Sequence, residues 1–260
     1  MPTYSGSIYV TLESVESEKD IGVTIDSKLN FDKHIQTQVN KAYQIVGIIR
    51  RSFKYLDFKT FCLLFKSLVR PILEYASSVW NPYKTKDIEA IENVQRRATK
   101  MLPDMKDLTY EERLRKLKLP SLRYRRLRGD MIETFKIVNE IYDRRVTEDL
   151  LPINKSTFHQ TRGHSLKLTK NRSRLDIRKY YFTNRVVEDW NNLPETVITA
   201  KNVKIFEKRL DELWQNHPMM YDHTYNDKQT TTGSRQINQI DNEVEPNIEE
   251  QADLLRLEQT

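Results

Sequence analysis

The sequence predicts a mainly α protein: short N-terminal β strands or a hairpin, then a multi-helix bundle, then a disordered acidic tail. Three observations predict it. From Phe31 to about Tyr142, and again from about Arg178 to Gln215, apolar residues recur mostly at steps of three or four, the period of helices that bury one face. Only six glycines occur in 260 residues, which disfavours turn-dense β architecture and Gly-rich phosphate loops. Beyond His217 the chain is rich in Asn, Gln, Thr and acids, a composition that buries too little apolar surface to fold. Hydrophobic residues make up 38% and charged residues 31%, enough for one good core or two small ones. Four regions follow: short strands over 1–29, a helical region over 30–150, a loop with two helices over 151–216, and the tail over 217–260.

Taken in order, Ser7 to Asp26 reads as short strands. Ile8, Val10 and Leu12 alternate with polar residues, and Ile21, Val23 and Ile25 do so again, with Gly22 allowing close backbone approach. From Phe31 the period turns helical: Ile35, Val39, Ala42, Val46, Ile49 and Phe53 form one stripe, and Lys33, Lys41 and Arg50 lie off it. A second helix, about Phe58 to Val79, is apolar nearly all round, the pattern of a central buried helix. Pro71 kinks or splits it near Leu68, because proline lacks the N–H and clashes with the preceding turn.

A third helix follows Thr85 as N-cap, with Ile91, Val94, Ala98 and Met101 on one side and Arg96, Arg97 and Lys100 on the other. Pro103 stops it. Thr109 and Glu112 have capping-box spacing and open a short helix. Past Pro120 a longer helix spans about Ser121 to Tyr142, with Met131, Phe135, Val138 and Ile141 inside. Asn154 to Asp176 reads as loop, with short strands near Phe158 and over Leu166 to Leu168. Two helices, about Arg178 to Asn191 and Val203 to Gln215, flank Leu193-Pro194. A frail helix is expected at Ala252 to Leu257.

The charge is unevenly spread. Tyr221 to Thr260 carries nine acids and three bases, leaving net +12 on residues 1–220. Arg96 to Arg128 holds twelve bases and four acids, and Arg162 to Arg185 eight bases and one acid. A basic body suggests a polyanionic partner, and solvation of helical surfaces gives the same count. Arg123, Arg125, Arg126 and Arg128 sit in the first two turns of a helix, where cations oppose the helix dipole. A phosphate backbone nearby would offset that cost. Against this, Arg126 has Asp130 at i+4, and the four arginines point all round the helix.

Metal-ion chemistry is not expected. Polymerases cluster carboxylates around two divalent metals, and this sequence holds no Asp-Asp pair. Its adjacent acids, such as Glu111-Glu112 and Glu188-Asp189, sit in polar helix contexts. His159 with His164, and His217 with His223, lack an evident third ligand, so no metal or cofactor is expected. Cys62, the one cysteine, reads as a small buried hydrophobe. The lack of cystines fits a reducing compartment, nuclear or cytoplasmic. The first residues have no signal-peptide pattern, and no apolar run suits a membrane span. Tyr75, Trp80 and Tyr83 suit either base stacking or a helix junction. Trp190 and Trp214 read as core anchors.

Five strings recur together in order: EKDIGVTIDSKLNFDKHI (Glu18 to Ile35), LVRPILEYASSVWNPY (Leu68 to Tyr83), KDIEAIENVQRRATKMLP (Lys86 to Pro103), LTYEERLRKLKLPSLRYRRLRGDMIETFKI (Leu108 to Ile137) and FTNRVVEDWNNLPETV (Phe182 to Val197). Their order and spacing resemble the region after the catalytic palm in jockey-type non-LTR retrotransposon reverse transcriptases, over about Ser14 to Trp214. The resemblance implies that 1–29 is a remnant of the palm edge, with Ile21, Gly22 and Val23 similar to the family's element near the primer grip. It implies that the helices are the thumb and its extension, which hold the template–primer. The fingers, the metal-binding palm motifs and the endonuclease have no counterpart in these residues. What the resemblance implies is therefore a non-catalytic grip on RNA or an RNA–DNA duplex, through Arg96, Arg97, Lys100, Arg123, Arg125, Arg126 and Arg128, with the palm and fingers as a possible partner. The alternative is an inert relic or protein-interaction module.

Overall fold

The computed structural model describes residues 14–154 and 163–225. The chain divides into two compact units, residues 1–223 and 224–260, and every element described below lies in the first. It is mainly helical, with one short antiparallel hairpin. No described helix is long and apolar enough to cross a membrane.

The hairpin pairs β1 (Ser17–Asp20) with β2 (Val23–Asp26) in the register Ser17↔Asp26 to Asp20↔Val23. Its first strand, Ser-Glu-Lys-Asp, falls within the expected strand region but has no apolar alternation to mark it. The expected strand over Ile8 to Leu12 lies outside the described residues. Ile21 is not a strand residue but the first of a two-residue turn. Ile21 and Gly22 both have positive φ, 42° and 83°, the left-handed pair that a right-twisted hairpin selects. The Tyr75 hydroxyl donates to the Ile21 carbonyl at 2.9 Å, and the Ile21 side chain is 81% exposed. A β-branched residue in this region costs about 1–2 kcal/mol, and Asn is the residue such turns prefer. Ile21→Asn is expected to raise stability by about 1 kcal/mol in urea unfolding, with no change in slope.

The Asp26 carboxylate accepts backbone N–H groups from Lys28, Asn30 and Phe31 at 2.7–3.2 Å, fixing the entry to α1 (Asp32–Ser52). Ile35, Val39, Ala42, Val46 and Ile49 are buried as their spacing requires, whereas Phe53 falls past the helix end and is partly exposed. Next, α2 (Phe58–Leu64) passes through a widened π turn at Phe65–Val69 into α3 (Arg70–Glu74). Pro71 is the cause: it has no N–H to give the preceding turn, so the ladder widens there instead of breaking. This helix is not central. Phe61, Phe65, Val69 and Leu73 are buried, but Leu63, Leu68 and Tyr75 stand at the surface, Leu63 67% exposed.

After α4 (Ser77–Trp80) comes α5 (Thr85–Thr99), whose N-cap is Lys84, so Thr85 lies inside the helix and caps nothing. Lys84 and Lys86 reach Asp32 at 2.8 and 3.0 Å, and Arg97 lies over Tyr43. These contacts run α1 and α5 side by side in the same direction. In α6 (Tyr110–Leu117) the capping box forms as spaced, with Thr109 and Glu112 bonded reciprocally. The next helix, α7 (Leu122–Val138), is capped by the Ser121 hydroxyl. It stops at Val138, four residues short of the expected Tyr142. Glu140 turns left-handed (φ 53°), and the Ile141 and Glu140 N–H groups close back on Lys136 and Ile137. That is a Schellman end built without glycine, and it leaves Ile141 at the surface.

The remaining elements are α8 (Arg144–Thr147), an Ile153–Leu168 bridge, α9 (Asp176–Lys179), α10 (Phe182–Asn191), α11 (Glu195–Ile198) and α12 (Val203–Leu213). The expected strand near Phe158 lies outside the described residues. Two cores result. One gathers α1 to α6 around Ile35, Phe65, Leu73, Trp80 and Val94. The other gathers the later helices around Phe135, Trp190 and Phe206. Leu122 joins the first core, and Met131, Ile132 and Phe135 join the second, so the division falls within α7 and not near residue 150. Trp190 is fully buried and Trp214 packs partly against the second core.

The tail also begins later than 217. Pro218–Met220 form a turn of 3₁₀ helix, Met219 and His223 are buried, and Ser121 holds the Met219 and Met220 carbonyls at 2.7 Å each. The acidic stretch and frail helix expected after it fall mostly outside the described residues.

Two buried imidazoles make stability depend on pH. The Thr24 N–H donates to His34 Nδ1 at 3.2 Å, leaving the proton on Nε2, which has no partner. Burial, helped by Lys41, holds His34 below its usual value, and burial does the same to His164 against an opposing bond from the Trp190 carbonyl. The unfolded imidazole therefore binds its proton first. Stability is complete above about pH 6.5 and falls as pH drops through that value towards the lower folded pKa. Melting temperature is expected to decline between about pH 7 and pH 5, with a shallower decline in His34→Gln.

Candidate nucleic-acid interface

Two of the α7 arginines pair with carboxylates of their own chain. Arg125 pairs with Glu74, its Nη2 at 2.9 Å from Oε2. Arg128 grips Asp211 through Nε and Nη2 at 2.6 and 2.9 Å. Arg123 gives its backbone N–H to buried Glu92 at 2.8 Å and its Nη1 to the His223 carbonyl at 2.8 Å. These acids offset the cost of cations at a helix start, so no external phosphate is needed for that purpose.

Arg126 is a correction to the expected contact set. It is 2% exposed, and a buried guanidinium cannot reach a nucleic-acid backbone. Its Nε donates to Asn81 Oδ1 at 3.1 Å, while Nη1 and Nη2 have no partner. Burial pulls its pKa down to about 10. Nor does it pair with Asp130. Arg185 takes both Asp130 oxygens at 2.8 and 2.9 Å and gives Nη2 to the Ser78 carbonyl as well.

The α5 trio does not share one outward face. Arg96 turns inward, to Glu89 at 3.3 Å, to Asn93 and to His223 at 3.2 Å, over the Tyr110 ring. Arg97 and Lys100 are exposed. Arg97 lies 5.1 Å from the Tyr43 ring centre, and Lys100 follows one turn later. On α1, Arg50 and Arg51 follow Tyr43 by seven and eight residues, so they share its side of the helix. Four exposed cations thus lie near the C-terminal ends of two parallel helices. No ion pair joins any of them to a carboxylate among the described residues. The helix dipoles favour cations at those ends.

Buried polar residues on the inner side of α5 and α6 were missed by sequence reasoning. Glu92 accepts the Tyr110 hydroxyl at 2.7 Å, and burial beside that carboxylate pushes the phenol well up. Gln95 bridges Tyr110 and the Pro120 carbonyl, and Arg113 ties Thr99 to the Leu108 carbonyl. Glu92, Gln95 and Thr99 are spaced three and four apart beside Ile91 and Ala98. Polar residues interrupting an apolar stripe at helical spacing were the available signal.

The other singled-out residues take structural places. Ile21, Gly22 and Val23 form the hairpin turn and the start of β2. Cys62, expected to be buried, is half-buried against the first core, and burial pushes its thiol up. His164 contacts the Trp190 carbonyl, His217 caps Met219, and His223 meets Glu89 at 2.7 Å. His159 lies outside the described residues. Among the described residues, no group of three or more His, Cys, Asp or Glu side chains is placed to hold a metal ion.

No protein-family model matches the chain, and no solved structure matches it. An uncharacterized protein of Caenorhabditis elegans is 26% identical over 111 residues, 42% of this chain. The match spans about half of that relative's length, 56%.

Proposed function

We propose that this chain is a non-catalytic, thumb-like stretch of a non-LTR retrotransposon reverse transcriptase that grips the backbone of RNA or an RNA–DNA duplex. The contact surface in this reading is Arg97 and Lys100 of α5 with Arg50 and Arg51 of α1. The observation that carries it is that these four cations stand exposed near the ends of two neighbouring helices, with no ion pair to a carboxylate among the described residues. The helical fold and the five ordered strings support it, as does the net +12 on residues 1–220. Polymerisation is not assigned to the chain, because its sequence has no Asp-Asp pair to seat two metals.

Salt dependence tests the reading. If roughly four phosphates are neutralised, log K falls against log salt with a slope of roughly −3.6. Arg97→Glu with Lys100→Glu is expected to weaken binding for all sequences alike and to make the slope shallower by about 2. Charge reversal of Arg125 should leave the slope unchanged. Binding that ignores salt, or no binding at low salt, defeats the reading.

One observation favours a second reading, a protein-interaction module. Leu63, Leu68, Pro71 and Tyr75 leave an apolar strip on the outer side of α2 and α3, the kind of surface that marks a protein contact. A chain that self-associates or binds protein but ignores nucleic acid at low salt would support it.

A further inference from the structure

The aromatics before α5 are taken up inside the fold: Trp80 is buried, and Tyr83 stacks on Tyr180 with ring centres 4.7 Å apart. Free rings stand elsewhere, at the corner between α1 and α2. Tyr55 is 87% exposed, the most open of the large hydrophobic side chains described, and Phe53 is 39% exposed. Lys54 lies between them in the chain, and Arg50 and Arg51 occupy the last turn of α1 just before. All five residues are at the surface.

These groups are not spoken for. Between Asp32 and Asp57 the chain holds five Lys or Arg residues and no acid. Asp57 itself caps α2, its two oxygens accepting the Thr60 N–H and hydroxyl at 2.9 and 2.7 Å. Among the described residues, no hydrogen bond or ion pair engages the side-chain nitrogens of Arg50, Arg51 or Lys54. Lys54 Nζ lies 5.8 Å from the centre of the Tyr55 ring, and the exposure of that ring leaves it open to a further partner. One exposed ring alone needs no explanation. Two within three residues, interleaved with a lysine and preceded by two arginines, combine what a single strand uses: cations for its backbone and flat faces for its bases. A duplex would use the cations alone, because its bases already stack on one another. An acidic peptide would likewise leave the rings idle.

We propose that the α1–α2 corner binds an unpaired stretch of nucleic acid, with one base stacked on Tyr55, a neighbouring base against Phe53, and its phosphates at Arg50, Arg51 and Lys54. No more than about 7 Å of backbone separates residues 53 and 55, so both rings serve one strand. The proposal rests on the nucleic-acid reading and deepens it. Arg50 and Arg51 belong to the cation set already assigned to the backbone, and an unpaired strand continuing from there meets Tyr55 within five residues of chain.

Fluorescence anisotropy of the full chain with a labelled oligoadenylate, and separately with a blunt RNA–DNA duplex, tests it. Tyr55→Ala is expected to weaken oligoadenylate binding about fivefold or more. Duplex affinity and both salt slopes should stay unchanged, because the ring carries no charge. Tyr55→Trp should restore the affinity, and the oligonucleotide should quench its added emission. The exposure of this side chain lets both variants fold, which unchanged melting temperatures check. Equal oligoadenylate affinity in Tyr55→Ala, or emission from Tyr55→Trp that ignores saturating oligoadenylate, overturns the proposal. A membrane surface draws on the same rings and cations, so phosphatidylserine vesicles are the second probe. Vesicle binding that depends on Tyr55, with oligoadenylate binding that does not, overturns it as well. Loss of the stacking effect alongside salt-dependent duplex binding removes only this subsite. Tyr55-dependent oligoadenylate binding without duplex binding removes only the duplex grip.

Discussion

Asp130→Ala is expected to lower the stability of the chain by about 3–5 kcal/mol, the cost of leaving one member of a buried ion pair without its partner. Asp130 is 3% exposed and takes both guanidinium bonds of Arg185 as well as one from Asn81 at 3.2 Å. Removing it leaves Arg185 charged against the second core. For a chain whose whole margin is about 5–15 kcal/mol, urea unfolding should show a large fall in midpoint. Arg126→Met is the contrasting case. Its guanidinium is buried with two nitrogens unpartnered, so an apolar residue of similar length should leave stability unchanged or raise it by about 1–4 kcal/mol. Its nucleic-acid affinity should also be unchanged. A loss of affinity in a well-folded Arg126→Met protein would contradict the buried placement.

Trp190→Ala should be comparably severe, about 3–5 kcal/mol. Trp190 is fully buried, 6.1 Å from Phe206 between ring centres, with Nε1 bonded to the Leu166 carbonyl at 2.8 Å. Truncation removes that packing and leaves the Leu166 carbonyl without its donor. Phe206 itself stacks on Phe135 of α7 at 4.3 Å, so the damage reaches the helix that both cores share. Trp214→Ala, at the edge of the same core, should cost less. Equal midpoints for the two variants in denaturant unfolding would show that Trp190 does not anchor this core.

The sequence carried the helical period well. The α1 stripe, the Thr109–Glu112 box and the interruption near Pro71 all follow from rules that act within a few residues. What it did not carry is which charges face inward. A run of bases reads as solvated surface or as a polyanion site because its acids are far along the chain: Arg125 finds Glu74 and Arg128 finds Asp211. Only the fold brings those partners together. The same limit hid Asp130 and Arg185. The exposed strip on α2 and α3 failed differently. Apolar residues all round a helix say that burial is available, and here Leu63 and Leu68 stand exposed among the described residues.

The segment Pro218–Met220 and the residues after it have a kinetic consequence. Ser121 needs the Met219 and Met220 carbonyls, and Glu89 needs the His223 ring. During synthesis, helices made early would wait for more than ninety further residues before these bonds close. Refolding should therefore show its slowest phase in amide protection at the start of α7, after the earlier helices have already slowed their exchange.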